Sequence, residues 1–250
     1  MRKGFSLVEM AVVLVIIGLL AASITSATKL VRVTSYNKLA KQAEEIHSAL
    51  KNFVITYEAL PGDMTNAESL WGTYNSSTNP TGTVNGDGDG LINQYVVSSN
   101  RESLRAWQQL YKAEVLRTNY TGAEGSTVAT DIEIGVNVPD TALTNVGAQI
   151  MREATYGATS NWYYKGGNFL QFAKEVIRDS GATEYLMAAS FTNKDTYIYD
   201  NKFDDGVANT GTVRGAYGRE LDDSGWTSCD YSSISGTDLT CIIAIRYGYF

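Results

Sequence analysis

The hydrophobic pattern begins with a long apolar run. From Phe5 to Thr28 the chain has 24 residues and a single charge, Glu9. As a helix this run would be about 36 Å long, which exceeds the bilayer hydrocarbon core of about 30 Å. The pattern therefore predicts a membrane-spanning segment at 5–28, preceded by a short basic leader at 1–4.

The apolar positions that follow have a different spacing. Beyond the membrane segment they recur at intervals of three and four, which is typical of one face of an amphipathic helix. They are Tyr36, Leu39, Ala43, Ile46, Leu50, Phe53 and Tyr57. The pattern stops at Leu60-Pro61-Gly62-Asp63, because proline and glycine do not continue a helix. We expect one helix from Phe5 to about Glu58, with residues 29–60 packed on a globular domain at 61–250.

The rest of the chain shows mixed periodicity. Helical spacing predicts helices at 100–116 and 168–180, the first opened by a capping box at Ser99-Asn100-Arg101-Glu102. Runs of β-branched and aromatic residues predict strands at 131–138, 184–199 and 239–250. This order indicates an α+β fold, in which an antiparallel sheet packs on the long N-terminal helix.

Composition narrows the possible functions. The net charge is −7, so the bulk surface offers no basic footprint for nucleic acid, and binding there would need a local patch. We find no nucleophile triad, zinc motif or phosphate loop, and a lone histidine, His47, is more typical of a structural role. We therefore expect no enzyme, although a hydrolase based on paired carboxylates stays open. Cys229 and Cys241 either pair in an oxidising compartment or remain two buried thiols.

The basic leader and Glu9 bear on how the apolar run is used. Arg2 and Lys3 favour a cytoplasmic leader, which would place the bulk of the chain on the other side of the membrane. A secretory signal cut near Ala21-Ala22-Ser23 would also begin in this way. A carboxylate within an apolar span costs about 2.5–3.5 kcal/mol, so Glu9 calls for a partner or a function. A plain anchor whose Glu9 snorkels to the interface remains an alternative.

The sequence Lys3-Gly4-Phe5-Ser6-Leu7-Val8-Glu9-Met10 resembles the processing site of type IV prepilins and type II secretion pseudopilins. The resemblance implies cleavage by prepilin peptidase between Gly4 and Phe5, methylation of the new amine, and pairing of Glu9 with the Phe5 amine of a neighbouring subunit. It also implies a single-pass inner-membrane precursor with a periplasmic domain. Inner-membrane assembly machinery would then add the subunit to a pilus or pseudopilus built of copies of itself or related chains.

Two further features bear on the resemblance. The pair Cys229 and Cys241 resembles the C-terminal disulfide loop of many pilins. Many major pilins have a kinking proline within the apolar segment, whereas this chain has no proline before Pro61. The missing proline and the chain length also suit a minor pilin or a tip adhesin that binds a surface ligand.

The best candidate for a metal site is Asn85-Gly86-Asp87-Gly88-Asp89-Gly90-Leu91-Ile92, which matches the first eight positions of an EF-hand loop. Val96 stands where the bidentate glutamate is expected, so a complete EF-hand is excluded. Calcium could be held by Asn85, Asp87 and Asp89, with Glu102 as a further ligand, although the capping box explains Glu102 equally well.

The alternative for this segment is a Gly-Asp turn without metal. Farther along the chain, Asp200, Asp204 and Asp205 form a second cation site, pack against the first, or, as we expect, lie in a solvated acidic hairpin turn.

Overall fold

One helix, α1, runs without interruption from Leu7 to Tyr57. The computed structural model describes residues 6–93, 101–123, 132–152, 167–177, 183–218, 228–232 and 238–246. With 51 residues, α1 is about 77 Å long. It ends at Glu58, whose φ of 53° is left-handed and whose N–H donates to the Val54 carbonyl, just before the predicted Pro61 stop. The single long helix predicted from the sequence is confirmed.

The two halves of α1 have different surroundings. None of Leu7–Ile24 is buried, whereas the apolar face of the second half joins the core of the body. Leu39, Leu50 and Phe53 are among the largest fully buried side chains. The amphipathic half is therefore the part of α1 that holds the globular domain.

Three short helices and five strands make up the rest of the described fold. They are α2 Ala67–Trp71, α3 Glu102–Lys112, β1 Gly147–Arg152, β2 Asn168–Ile177, β3 Thr183–Ala188, α4 Asn193–Phe203, β4 Val213–Tyr217 and β5 Cys241–Ile245. The strands pair antiparallel in the order β1-β2-β5-β4, and β3 pairs with the C-terminal half of β2. Side chains of the sheet and of α1 form one buried cluster, so the α+β fold class is confirmed.

Loops cover both outer edges of the β1-β2-β5-β4 path. At β1, the N–H of Ala148 donates to the Pro139 carbonyl and that of Arg152 to the Ile92 carbonyl. At β4, the Gly215 N–H donates to the Ala208 carbonyl, while the Gly215 carbonyl accepts from Cys229. A paired edge cannot template the addition of another strand.

The helix predicted at 168–180 is wrong, because residues 168–177 are β2. This strand lies between β1 and β5, and its residues Asn168–Ala173 are all buried, so apolar and polar positions do not alternate. The spacing of Phe169, Phe172 and Ala173 therefore resembled the spacing of apolar residues on a helix. Residues 178–180 lie outside the described part of the chain.

Two predicted strands also need correction. The part of 131–138 that is described, residues 132–138, forms a turn closed by an isolated bridge between Ile134 and Val138. The segment 184–199 begins as β3 but continues as α4, because the Thr192 side chain caps that helix by accepting the Asp195 N–H.

The two remaining predicted elements are present. The strand predicted at 239–250 is β5, and residues 247–250 are not described. The helix predicted at 100–116 is α3, but Arg101 is its N-cap and makes no side-chain cap, so the predicted capping box is wrong.

Candidate functional site

The N-terminal part of α1 is an exposed apolar rod. Residues Leu7–Ile24 have a mean hydropathy of 2.7, and none of them is buried against the body. Such a surface is unfavourable in water and suits a lipid or protein environment. By length and composition this segment can cross a membrane, which fits a membrane-anchored precursor.

Glu9 takes part in a capping box at the start of α1. Its carboxylate Oε2 accepts the Ser6 N–H at 2.7 Å, and its own N–H donates to Ser6 Oγ at 3.2 Å. The carboxylate therefore faces the positive end of the helix, next to the predicted cleavage site. Gly4 and Phe5 lie outside the described residues. The structure thus gives Glu9 a partner within its own chain, which sequence reasoning did not identify.

An ion pair between a half-exposed arginine and a buried carboxylate connects α1 to the body. The Arg32 guanidinium donates to the carboxylate of Asp195, whose side chain is only 4% exposed. Thr192 Oγ1 donates to the same carboxylate at 2.6 Å. Nearby, burial raises the pKa of Tyr36 to about 12. The ion pair joins α1 to the first turn of α4.

The predicted calcium segment forms a loop around a carboxylate that the sequence did not single out. Asp63 is buried. Its Oδ1 accepts the N–H groups of Gly88 at 2.6 Å and of Asp89 at 3.1 Å, and its Oδ2 accepts the N–H group of Gly90 at 2.9 Å. We call residues 85–91 the acidic loop. Its backbone amides enclose the Asp63 carboxylate in the way that successive backbone N–H groups bind an anion.

Glu102 supports the other side of the acidic loop. Its Oε1 accepts the Asp87 N–H at 3.1 Å, and its Oε2 accepts the Asn93 N–H at 2.8 Å. Burial raises the pKa of Glu102, with smaller contributions from the Asp87 and Asp63 charges, and backbone amides oppose the shift. Burial likewise raises the pKa of Asp63. Both carboxylates therefore accept hydrogen bonds from backbone amides of the loop, although burial disfavours their charged forms.

The predicted metal ligands are only partly brought together. Carboxylate oxygens of Asp63, Asp87 and Asp89 lie within 4.8 Å of one another. The Asn85 Oδ1 instead accepts the Glu68 N–H at 2.8 Å, so this amide closes the loop onto α2. The missed residue, Asp63, follows the Pro-Gly turn directly, a position that the sequence interpretation used only as a helix stop. Calcium binding at the acidic loop stays a prediction.

The second acidic cluster is the C-terminal end of α4 and the residues after it. Asp200 is fully buried, accepts the Gly206 N–H at 3.0 Å, and accepts the Tyr231 hydroxyl at 2.9 Å. Burial raises the pKa of Asp200 to about 6, and the charges of Asp205 and Asp204 add to the shift. The predicted solvated hairpin is therefore wrong for Asp200. Its carboxylate is a buried acceptor between α4 and the segment around Tyr231.

The two cysteines form a disulfide. Cys229 and Cys241 are bonded across a separation of 12 residues, with their Cα atoms 6.1 Å apart. The bond joins the segment along the β4 edge to the first residue of β5. The predicted disulfide is confirmed, and the alternative of two free thiols is not.

Comparison with known families identifies the N-terminal part of the chain. The family described as the prokaryotic N-terminal methylation motif matches residues 1–25. No curated protein and no solved structure matches the chain. The N-terminus of this protein therefore carries the signal of type IV pilins and pseudopilins, and the matched residues include the apolar helix segment Leu7–Ile24.

Proposed function

We propose that this chain is the precursor of a structural filament subunit, cut after Gly4 by prepilin peptidase and assembled into a type IV pilus or pseudopilus through α1. One observation carries the proposal. The methylation motif covers residues 1–25, and none of the apolar helix residues Leu7–Ile24 within it is buried against the body. The role is structural, without a catalytic step.

The exposed half of α1 supports assembly through helices. Its side chains would be covered first by lipid, in the precursor, and then by the same segments of neighbouring copies. The covered edges at β1 and β4 favour this route over strand addition between bodies. The apolar helix would then form the filament core, and the bodies would form its surface.

Glu9 gives the proposal an electrostatic step. Cleavage before Phe5 would create a cationic amine at the head of α1, four residues from the Glu9 carboxylate. Pairing between opposite charges is strong where water is excluded. A Glu9 carboxylate that now accepts the Ser6 N–H would exchange this contact for the amine of a neighbouring copy.

The proposal is tested by expressing the full chain with and without a prepilin peptidase. We expect a mature N-terminus at Phe5, carrying a methylated amine, only when the peptidase is present. Sheared filaments containing the mature chain should then be recovered. A mature N-terminus at any other residue, as after conventional signal cleavage, would contradict the proposal.

Two substitutions separate capping from charge pairing. Glu9→Gln keeps a side chain that can close the capping box but removes the charge, so cleavage should continue while filament yield falls. Ser6→Ala removes the cap and keeps the charge, so filaments should persist. Full filament yield with Glu9→Gln would refute the charge-pairing step.

The finer assignments belong to the same proposal. The precursor would cross the inner membrane once, with its body in the periplasm, and would be added to the filament by inner-membrane assembly machinery. Protease added to spheroplasts should digest the body and leave the leader side protected. Digestion only after the cells are lysed would reverse this orientation.

A minor subunit or tip adhesin is the second candidate. The observation that favours it is the unbroken course of α1 through its membrane half, without the proline that many major pilins carry. Immunogold labelling of filaments distinguishes the two roles. Labels along the whole length indicate a major subunit, whereas labels confined to tips indicate a minor one.

A further inference from the structure

We propose that, in the precursor, one end of the globular body rests on the membrane surface. This end, the membrane-proximal face, comprises the start of α4, the segment 238–240 and residues 30–33 of α1. The partner is the lipid at the bilayer–water interface. The inference rests on insertion of the apolar half of α1 into a membrane, and not on cleavage or filament assembly.

The contacts between α1 and α4 fix the height of the body above the membrane. Arg32 pairs with Asp195, the rings of Tyr36 and Phe191 lie 6.2 Å apart, and Lys202 Nζ donates to Asn37 Oδ1 at 2.5 Å. Since α1 is one continuous helix, these distances along its axis are set by residue number. Arg32 lies about 12 Å beyond Ile24, at 1.5 Å per residue.

The bilayer dimensions bring this end of the body to the lipid headgroups. The 18 apolar residues Leu7–Ile24 cover about 27 Å, so a hydrocarbon core of about 30 Å ends roughly two residues later. Headgroups add about 5–8 Å on each side. The interface therefore reaches to about residue 31, directly below the ion pair at Arg32.

Other segments of the body reach the same end. Thr240 Oγ1 donates to Asn193 Oδ1 at 2.5 Å, and an isolated antiparallel β-bridge joins Phe191 to Cys241. The segment 238–240 therefore lies beside the first turn of α4. Leu239 precedes this hydrogen bond immediately. The loop before β5 is thus placed at the level of the α1–α4 contact.

Aliphatic side chains are exposed on this face. Leu30 is 69% exposed, Val31 is 66% exposed and Leu239 is 46% exposed. Transfer of aliphatic groups from water to the membrane interface, where water is partly excluded, is favourable. The charged groups Lys194 and Asp238 are also exposed on it and have opposite signs. The contact therefore depends on apolar side chains, and anionic lipid is not required.

Tryptophan quenching tests the proposal on the uncut full-length precursor. The chain is reconstituted in phosphatidylcholine bilayers, with and without phosphatidylglycerol, using plain or acyl-brominated lipid. Leu239→Trp reports from the segment before β5, Lys194→Trp from the first turn of α4, and Leu30→Trp from α1. Ile55→Trp is the matched control, because it is exposed on the same helix about 35 Å farther from the membrane than Val31 or Arg32. The emission of the unsubstituted chain is subtracted.

We expect brominated lipid to reduce the added emission of Leu239→Trp, Lys194→Trp and Leu30→Trp, in both lipid compositions, and to leave Ile55→Trp unchanged. Two body reporters keep the test valid when one variant fails to fold. Quenching at Leu30→Trp alone would overturn the proposal, since the body would then stand away from the lipid. Because the precursor is uncut, failure of cleavage or of filament assembly leaves this readout unaffected.

Discussion

The buried carboxyl of Asp200 should make the protein less stable as the pH rises. Burial raises its pKa in the folded state to about 6, compared with about 3.9 in an unfolded chain. The folded state therefore binds the proton more tightly than the unfolded state. The stabilisation is complete below the unfolded pKa and is lost as the pH rises through about 6.

The size of the effect follows from the difference between the two pKa values. About two pKa units correspond to roughly 3 kcal/mol of unfolding free energy, lost between about pH 4 and pH 7. Asp200→Asn is neutral at every pH and fits the same site. Its amide oxygen can accept the Gly206 N–H while its NH₂ donates to the Tyr231 oxygen. The stability of the variant relative to the natural chain should therefore rise by about 3 kcal/mol over this range.

Urea unfolding of the full chain in detergent, followed by far-UV circular dichroism at several pH values with chelator present, measures the difference. Asp205→Asn is the control, because hydrogen bonds from Thr210 and Val207 lower the pKa of that exposed carboxyl. It should reproduce only the small part of the rise that comes from the Asp205 charge acting on Asp200, because Asp200 keeps its buried carboxyl. Tyr231→Phe removes a hydrogen bond that lowers the pKa of Asp200, so it should steepen the pH dependence of the chain. Parallel stability curves for Asp200→Asn and the natural chain from pH 4 to pH 7.5 would refute the reasoning.

Three further predictions concern the disulfide and the acidic loop. Replacing both cysteines by serine should lower the unfolding free energy by about 3 kcal/mol on the chain-entropy model, and urea titration with an unchanged midpoint would contradict this. Gly62→Ala should destabilise by more than about 3 kcal/mol, because φ is +88° and the new Cβ would lie 2.3 Å from the Glu102 carbonyl oxygen. Gly90→Ala, with φ of +83° and open space around it, should cost only about 1–2 kcal/mol when both glycine variants are compared by urea titration. If the acidic loop binds calcium, the melting temperature should be higher with calcium than with chelator, and Asp87→Asn should remove the difference. Equal melting temperatures of the natural chain with calcium and with chelator would refute the calcium prediction.

The structural features that depend on residues close together in the sequence were predicted best. The methylation motif is contiguous, and the helical stripe of α1 keeps its period up to the turn at Pro61. The fold class and the helix α3 also followed from local periodicity. The strand β2 did not, because it is covered on both faces and its buried residues lost the alternation that marks a half-exposed strand.

The site was harder to predict where it depends on contacts between distant segments. Asp63 is 25 residues from Gly88, and only the turn at the end of α1 brings its carboxylate under the acidic loop. The buried state of Asp200 depends on Tyr231, which is 31 residues away. Spacing within one segment gave no signal for either pairing.

The uninterrupted course of α1 also has a mechanical consequence. A pull along the axis of this rod would be carried by a continuous ladder of backbone hydrogen bonds, without a proline at which the ladder is already broken. Gly18 lowers helix propensity there but leaves the described helix intact. Since Arg32 and Asn37 fasten the body directly to the same rod, tension applied at the N-terminus would reach the body without first stretching a hinge. The chain should therefore behave as a stiff element under load.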